Sequence, residues 1–174
     1  MLIDKTITAL KRIVTQRYFL TERGFVTEFY CQLNRQIEIG VDFPNYTILE
    51  VEVQKRRGLH YGLTQRPDLI VHIPIETGLT DNANENNFAV YAFKLGGGSS
   101  KVQEDFSKLD EMFYNLNYQI GFFINIGAFP NIFLETYEGI YKDQIHEFSI
   151  GLDNGIVNIL HSYFIEGKVV VDQV

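Results

Sequence analysis

The chain has 174 residues, 45% of them hydrophobic, 14% aromatic and 21% charged, the composition of one globular domain and not of a disordered segment. A formal net charge of −7 gives no general attraction to nucleic acid, which takes clustered Lys and Arg. The one cysteine, Cys31, excludes an internal disulfide and a zinc site built on several thiolates, so a reducing, cytoplasmic setting is expected.

At the N-terminus, Ile3, Ile7, Leu10 and Val14 recur at helical spacing, which predicts an amphipathic helix within residues 1–20. Asp4, Lys5, Lys11 and Arg12 break the segment, so it lacks the apolar stretch of a signal peptide. No run in the chain approaches the ~20 apolar residues of a membrane helix. A second helix is expected over 21–37, where Phe25, Phe29, Leu33 and Ile37 form a stripe at steps of four and Glu28, Gln32 and Arg35 take the other face. Cys31, among apolar neighbours on that helix, reads as a structural thiol. Residues 47–54 alternate, with Leu49, Val51 and Val53 on one side and Glu50, Glu52 and Gln54 on the other, the pattern of a half-buried strand.

A short apolar strand over 67–73, a polar loop over 74–87 and a strand over 88–95 follow. Gly96-Gly97-Gly98-Ser99-Ser100 lacks the Gly-Lys-Ser/Thr ending of a phosphate loop. Ser100 with Gln103 reads as a capping box, with Glu104 and Asp105 in the first turn, opening a helix that buries Val102, Phe106, Leu109, Phe113 and Leu116. A strand over 118–126 comes next, then a short helix over 131–137. The last third reads as an antiparallel meander: strands over 144–150 and 156–165 flank Asp153-Asn154-Gly155, and Glu166-Gly167 turns into 168–171. The order predicts a mixed α/β fold, a mixed sheet flanked by helices with a C-terminal β-meander, in a single domain.

Standard catalytic constellations are absent. His60, His72, His146 and His161 show no metal-ligand spacing, and no Gly-x-Ser-x-Gly elbow surrounds a serine. What remains is Arg66-Pro67-Asp68 at the head of one strand and Lys94 in the otherwise apolar strand Val90-Tyr91-Ala92-Phe93-Lys94-Leu95. Positions 92 and 94 share a strand face, with Tyr91, Phe93 and Leu95 opposite. If the two strands pair as a hairpin, Asp68 lies beside that face and supplies the acid partner that a lysine in apolar surroundings needs. On spacing alone the pair is a strand-end aspartate and a snorkelling lysine.

The order of these pieces resembles the PD-(D/E)XK nuclease superfamily: Arg-Pro-Asp, a polar loop, an apolar strand bearing Lys94, then Asp105-Phe106-Ser107-Lys108-Leu109, similar to the Asp-x-x-Lys-Leu often seen after that strand. The resemblance covers about 21–126, with 1–20 as an added helix and 127–174 as a mostly β extension. It implies a restriction-endonuclease-like fold and a metal-dependent nuclease, DNA being the favoured substrate and endonucleolytic cleavage the favoured mode. By the same resemblance Asp68 is the first metal-binding acid, Lys94 the lysine that positions water, and Glu28 the candidate helix acid. Mg²⁺ is implied, with Mn²⁺ as a substitute, since hydrolysis of a phosphodiester draws on a hard cation held by carboxylates and water.

One position departs. Where the family carries an acid two residues before the lysine, this chain has Ala92, which offers a metal no oxygen. Replacement of the acid, migration of its role to Glu104 or Asp105, and a pseudo-nuclease that keeps the fold for binding remain as three explanations, the retained Asp68 and Lys94 favouring replacement. The resemblance thus implies an impaired enzyme or a non-catalytic module binding nucleic acid or protein. Because the chain is acidic, contact with nucleic acid would fall to a partner protein, a homo-oligomer or the Lys55, Arg56 and Arg57 cluster. Small nucleases of this superfamily occur in bacterial and phage defence.

Overall fold

The computed structural model describes residues 1–51, 67–74 and 86–174; Lys55, Arg56, Arg57, most of the polar loop and the second half of the strand expected over 47–54 lie outside them. The helices are α1 (Leu2–Lys11), α2 (Glu22–Asn34) and α3 (Ser99–Leu116), and the strands are β1 (Ile48–Val51), β2 (Leu69–His72), β3 (Asn87–Leu95), β4 (Ile120–Ile126), β5 (Ile145–Asp153), β6 (Ile156–Ile165) and β7 (Lys168–Gln173). All seven strands form one sheet in the order β1-β2-β3-β4-β5-β6-β7. β3 and β5 run parallel to β4, and every other pairing is antiparallel. The fold is mixed α/β. The C-terminal meander continues the same sheet through β5 and forms no separate layer.

The period-2 pattern of β3 divides the core. Tyr91 and Phe93 join Phe25, Phe29 and Leu33 of α2 and Leu10 of α1 on one side of the sheet. Val90 packs with Val102, Phe106, Leu109 and Phe113 of α3 on the other. Helices therefore cover both faces, which is why residues 121–126 of β4 are buried without alternation. Each large aromatic side chain buried here contributes a few kcal/mol. Thr6 on α1 and Tyr91 on β3 share a buried hydrogen bond of 3.0 Å between their hydroxyls. On the opposite face α3 lies close to β4 at Gly121, where an added Cβ would meet Phe113 Cζ at 2.6 Å.

Four local expectations are corrected. α1 ends at Lys11, so Ile13 turns into the core while Val14 is exposed. α2 ends at Asn34, three residues short of Ile37, although Ile37 still packs against the core; its N-cap is Thr21, whose side chain accepts from Gly24 N at 3.1 Å. α3 starts one residue before Ser100, with Gly98 at the N-cap and no side-chain cap. The capping box is thus not formed: Gln103 instead donates to the Phe133 carbonyl and the Thr136 hydroxyl, fastening the 3₁₀ turn Leu134–Thr136 that stands where a short helix was expected. The hairpin signal held, with Asn154 and Gly155 at φ 50° and 78° between β5 and β6. Among the described residues no helix is long and apolar enough to cross a membrane.

Candidate active site

β2 is shorter than β3, and the mismatch creates the site. The ladder between them runs to Leu69↔Tyr91, while β3 continues to Leu95. Amides two apart on a strand point to the same side, so Phe93 and Leu95 present their N–H groups past the end of the ladder. Both are taken by carboxylates. Phe93 N donates to Asp68 Oδ2 at 2.8 Å, and Leu95 N donates to Glu22 Oε2 at 3.1 Å. Glu22 arrives because Thr21 caps α2 and sets the next residue at the helix start, beside the end of β3.

A cavity of about 150 Å³ opens at this junction, lined by Glu22, Asp68, Ala92, Lys94, Asp105 and Lys108 among others. Ala92 and Lys94 face α3, as the strand period requires, and Ala92 packs against the α3 side of the core. From α3, the nearly buried Asp105 accepts from Lys108 Nζ at 2.6 Å through Oδ1 and holds Lys94 Nζ 3.9 Å from Oδ2. Lys108 is i+3 from Asp105, neighbours on a helix surface. The turn after Lys94 is fixed by the buried Asn125, which accepts from Gly97 N at 2.9 Å and donates to Gly97 O at 3.0 Å. Only glycine fits at 97, where a Cβ would lie 2.8 Å from Lys94 Cγ and 3.3 Å from Asn125 Oδ1.

Electrostatically the site gathers three carboxylates and two ammonium groups. Asp68 is pushed up to about 6, first by burial and then by the negative charges of Glu22 and Asp105, against the opposing pull of the Phe93 amide and Lys94. The Lys108 ammonium is raised, chiefly by its hydrogen bond to Asp105. A half-buried carboxylate crowded by two others is the kind of group that functional sites hold.

Of the residues singled out in the sequence, Asp68, Ala92 and Lys94 meet at this cavity together with Asp105. Glu104, the other candidate for the missing acid, is exposed and is not among the cavity's lining residues. Glu28 does not line it either; its Oε1 accepts from Gln32 Nε2 at 2.6 Å on the polar face of α2. The helix acid at the cavity is Glu22, six residues earlier and at the cap. Its sequence signal was the Thr21 N-cap followed by an acid, a pattern whose destination depends on packing.

A Mg²⁺ ion takes one or two carboxylates and keeps several waters, and the carboxylates lining this cavity are those of Glu22, Asp68 and Asp105. They do not form a closed cage: among the described residues no three His, Cys, Asp or Glu side chains stand in a metal-holding group, and Asp105 is already engaged by two lysines. No protein-family model, curated protein or solved structure matches the chain.

Proposed function

We propose that the protein is a metal-dependent nuclease, with a restriction-endonuclease-like arrangement of its core, that hydrolyses phosphodiester bonds in DNA at the Asp68–Lys94 cavity and is impaired by Ala92. The observation that carries this reading is the convergence of Asp68 and Lys94, 26 positions apart in sequence, with an acid from α3 on one cavity at the open edge of β3. Asp68 and Asp105 would hold the cation, with Glu22 at the rim. A bound Mg²⁺ would neutralise charge on the phosphate and lower the pKa of a water molecule.

The chain's own groups do the rest. Lys94 and Lys108 bring two ammonium groups to the cavity lining, where they would stabilise charge that builds on phosphorus-bound oxygens. The Phe93 amide anchors one carboxylate oxygen of Asp68, which lines the cavity and would offer its other oxygen to the cation. Glu22 and Asn125 shape the two ends of the same turn without touching the scissile bond. Asp105 takes over part of the role that the residue at position 92 lacks, at the cost of contacts it already makes with both lysines.

A second reading is a nuclease-fold module that binds nucleic acid or protein without cleaving it. The engagement of both Asp105 oxygens by lysines favours it. Cleavage of plasmid DNA, single-stranded DNA and RNA, with Mg²⁺ or Mn²⁺ and with a chelator control, separates the two. Slow, chelator-sensitive DNA cleavage that Asp68→Ala abolishes supports the enzyme; metal-dependent binding or no activity in either Ala92 or Ala92→Glu protein supports the module.

A further inference from the structure

We infer that β7 is a self-association edge, through which two copies of the chain pair antiparallel about a two-fold axis at Val170. β7 is last in the sheet order and its described partner is β6 alone. Proteins usually blunt such an edge with proline, a bulge or a charge in mid-strand. β7 has none of these. Its register with β6 runs unbroken from Ile165↔Lys168 to Leu160↔Gln173, and its centre is Val169-Val170-Val171, residues of high strand propensity. Val171 is 38% exposed and the neighbouring Ile165 is 52% exposed.

The strand's own charges select a second copy as the occupant. Lys168 lies opposite Ile165 and Asp172 opposite His161 across the β6 ladder, so the two charges share one face of the sheet, four residues apart with Val170 midway. An antiparallel two-fold at Val170 sets Val170 against its own copy, Val169 against Val171, and Lys168 against Asp172 twice. Moving the axis by one residue in either direction sets a valine against Lys168 or Asp172 and loses both charge pairs. Cross-strand pairs of opposite charge on one face are favourable, and like charges are not. Two copies would extend one sheet through both molecules. A single strand edge is a small interface, so the dimer is expected in a concentration-dependent equilibrium.

The test is sedimentation equilibrium of the whole chain across concentration. The native chain should dimerise, and Lys168→Asp, which sets aspartate against Asp172, should weaken association at least tenfold. Asp172→Lys should do the same by setting lysine against Lys168. An equimolar mixture of the two variants should associate at least tenfold more tightly than either alone, because the charges are then complementary at both ends. Asp172→Lys also removes the Tyr163 hydroxyl's 3.2 Å contact with Asp172, so circular dichroism must show each variant folded; should it not fold, Lys168→Asp against Lys168→Gln makes the same comparison at one site. A chain that stays monomeric throughout, or a dimer indifferent to both substitutions, would overturn the inference.

Discussion

Asp68 stands next in register to Ala92 and accepts the amide hydrogen of Phe93 at 2.8 Å, so the acid before β2 completes the hydrogen bonding of a strand that β2 is too short to finish. The same carboxylate faces Lys94, Glu22 and Asp105 across the cavity. Structure and proposed chemistry thus draw on one residue in opposite directions.

That opposition has a measurable sign. The folded pKa of Asp68 is raised from 3.8 to about 6, so its contribution is present below pH 3.8 and is lost as pH rises through 6. Ionised Asp68 therefore costs stability at neutral pH, on the order of 3 kcal/mol. Asp68→Asn keeps an oxygen for the Phe93 amide and removes the charge. In metal-free protein at pH 7.5, urea denaturation should show a higher midpoint for Asp68→Asn, alongside loss of any nuclease activity. A lower midpoint would mean that the ionised form is stabilising.

A buried histidine pair should make the fold sensitive to acid. His146 Nδ1 and His161 Nε2 are 2.8 Å apart and stacked, and both are pushed down to about 4, chiefly by burial. A depressed folded pKa leaves stability intact above pH 6.5 and removes it as pH falls towards 4, while the unfolded chain takes up the protons. Between pH 7 and pH 4.5 the protein should lose at least about 2 kcal/mol through this pair. Replacing both with phenylalanine should flatten the loss, read from urea midpoints at the two pH values; an unchanged slope would assign acid sensitivity elsewhere.

Glu147 is fully buried and accepts from Phe133 N, Leu134 N and Ser162 Oγ at 2.8 to 3.0 Å. Glu147→Ala strands three donors and should cost about 3 kcal/mol or more. Hydrogen exchange should quicken at Phe133 and Leu134 before the rest of the sheet. A cost under about 1 kcal/mol would show that water replaces the carboxylate.

The contrast between Asp68 and Glu22 explains what the sequence disclosed. Asp68 and Lys94 were legible because strand periodicity is local: one residue at the head of an apolar strand, another on a known face of the next. Ala92 reads as a gap only through the resemblance, which expects an acid two residues before the lysine; periodicity shows no more than that 92 and 94 share a face. Asp105 was readable only as one of two candidates for a displaced acid, since its i,i+3 relation to Lys108 says nothing about whether it also meets Lys94 of β3. Glu22 was missed and Glu28 chosen, because helical periodicity ranks polar faces and not helix ends. Glu22 gained its place from a contact spanning 73 positions, set by how α2 lies across β3. The capping box failed for a related reason: a glycine N-cap two residues earlier, at Gly98, left Gln103 free to fasten a distant loop.

The asparagine behind the lysine offers a separate check. Asn125→Ala removes both hydrogen bonds to Gly97 and leaves that buried turn unpaired, at a cost of about 2 kcal/mol. If Asn125 positions Lys94, cleavage should fall in the turnover rate with little change in DNA affinity. A variant that loses affinity and keeps turnover would make it a scaffold for binding alone.

The most direct measurement is Mg²⁺-dependent DNA cleavage by Ala92→Glu. Residues 92 and 94 share the face that meets α3, so a carboxylate at 92 would join Asp68 and Asp105 beside Lys94 and add the hard oxygen the cavity lacks. The account predicts cleavage at least tenfold faster than that of the Ala92 protein, abolished by a chelator, by adding Asp68→Ala, and nearly so by adding Lys94→Ala. A folded Ala92→Glu protein that binds no Mg²⁺ and cleaves neither DNA nor RNA would contradict it.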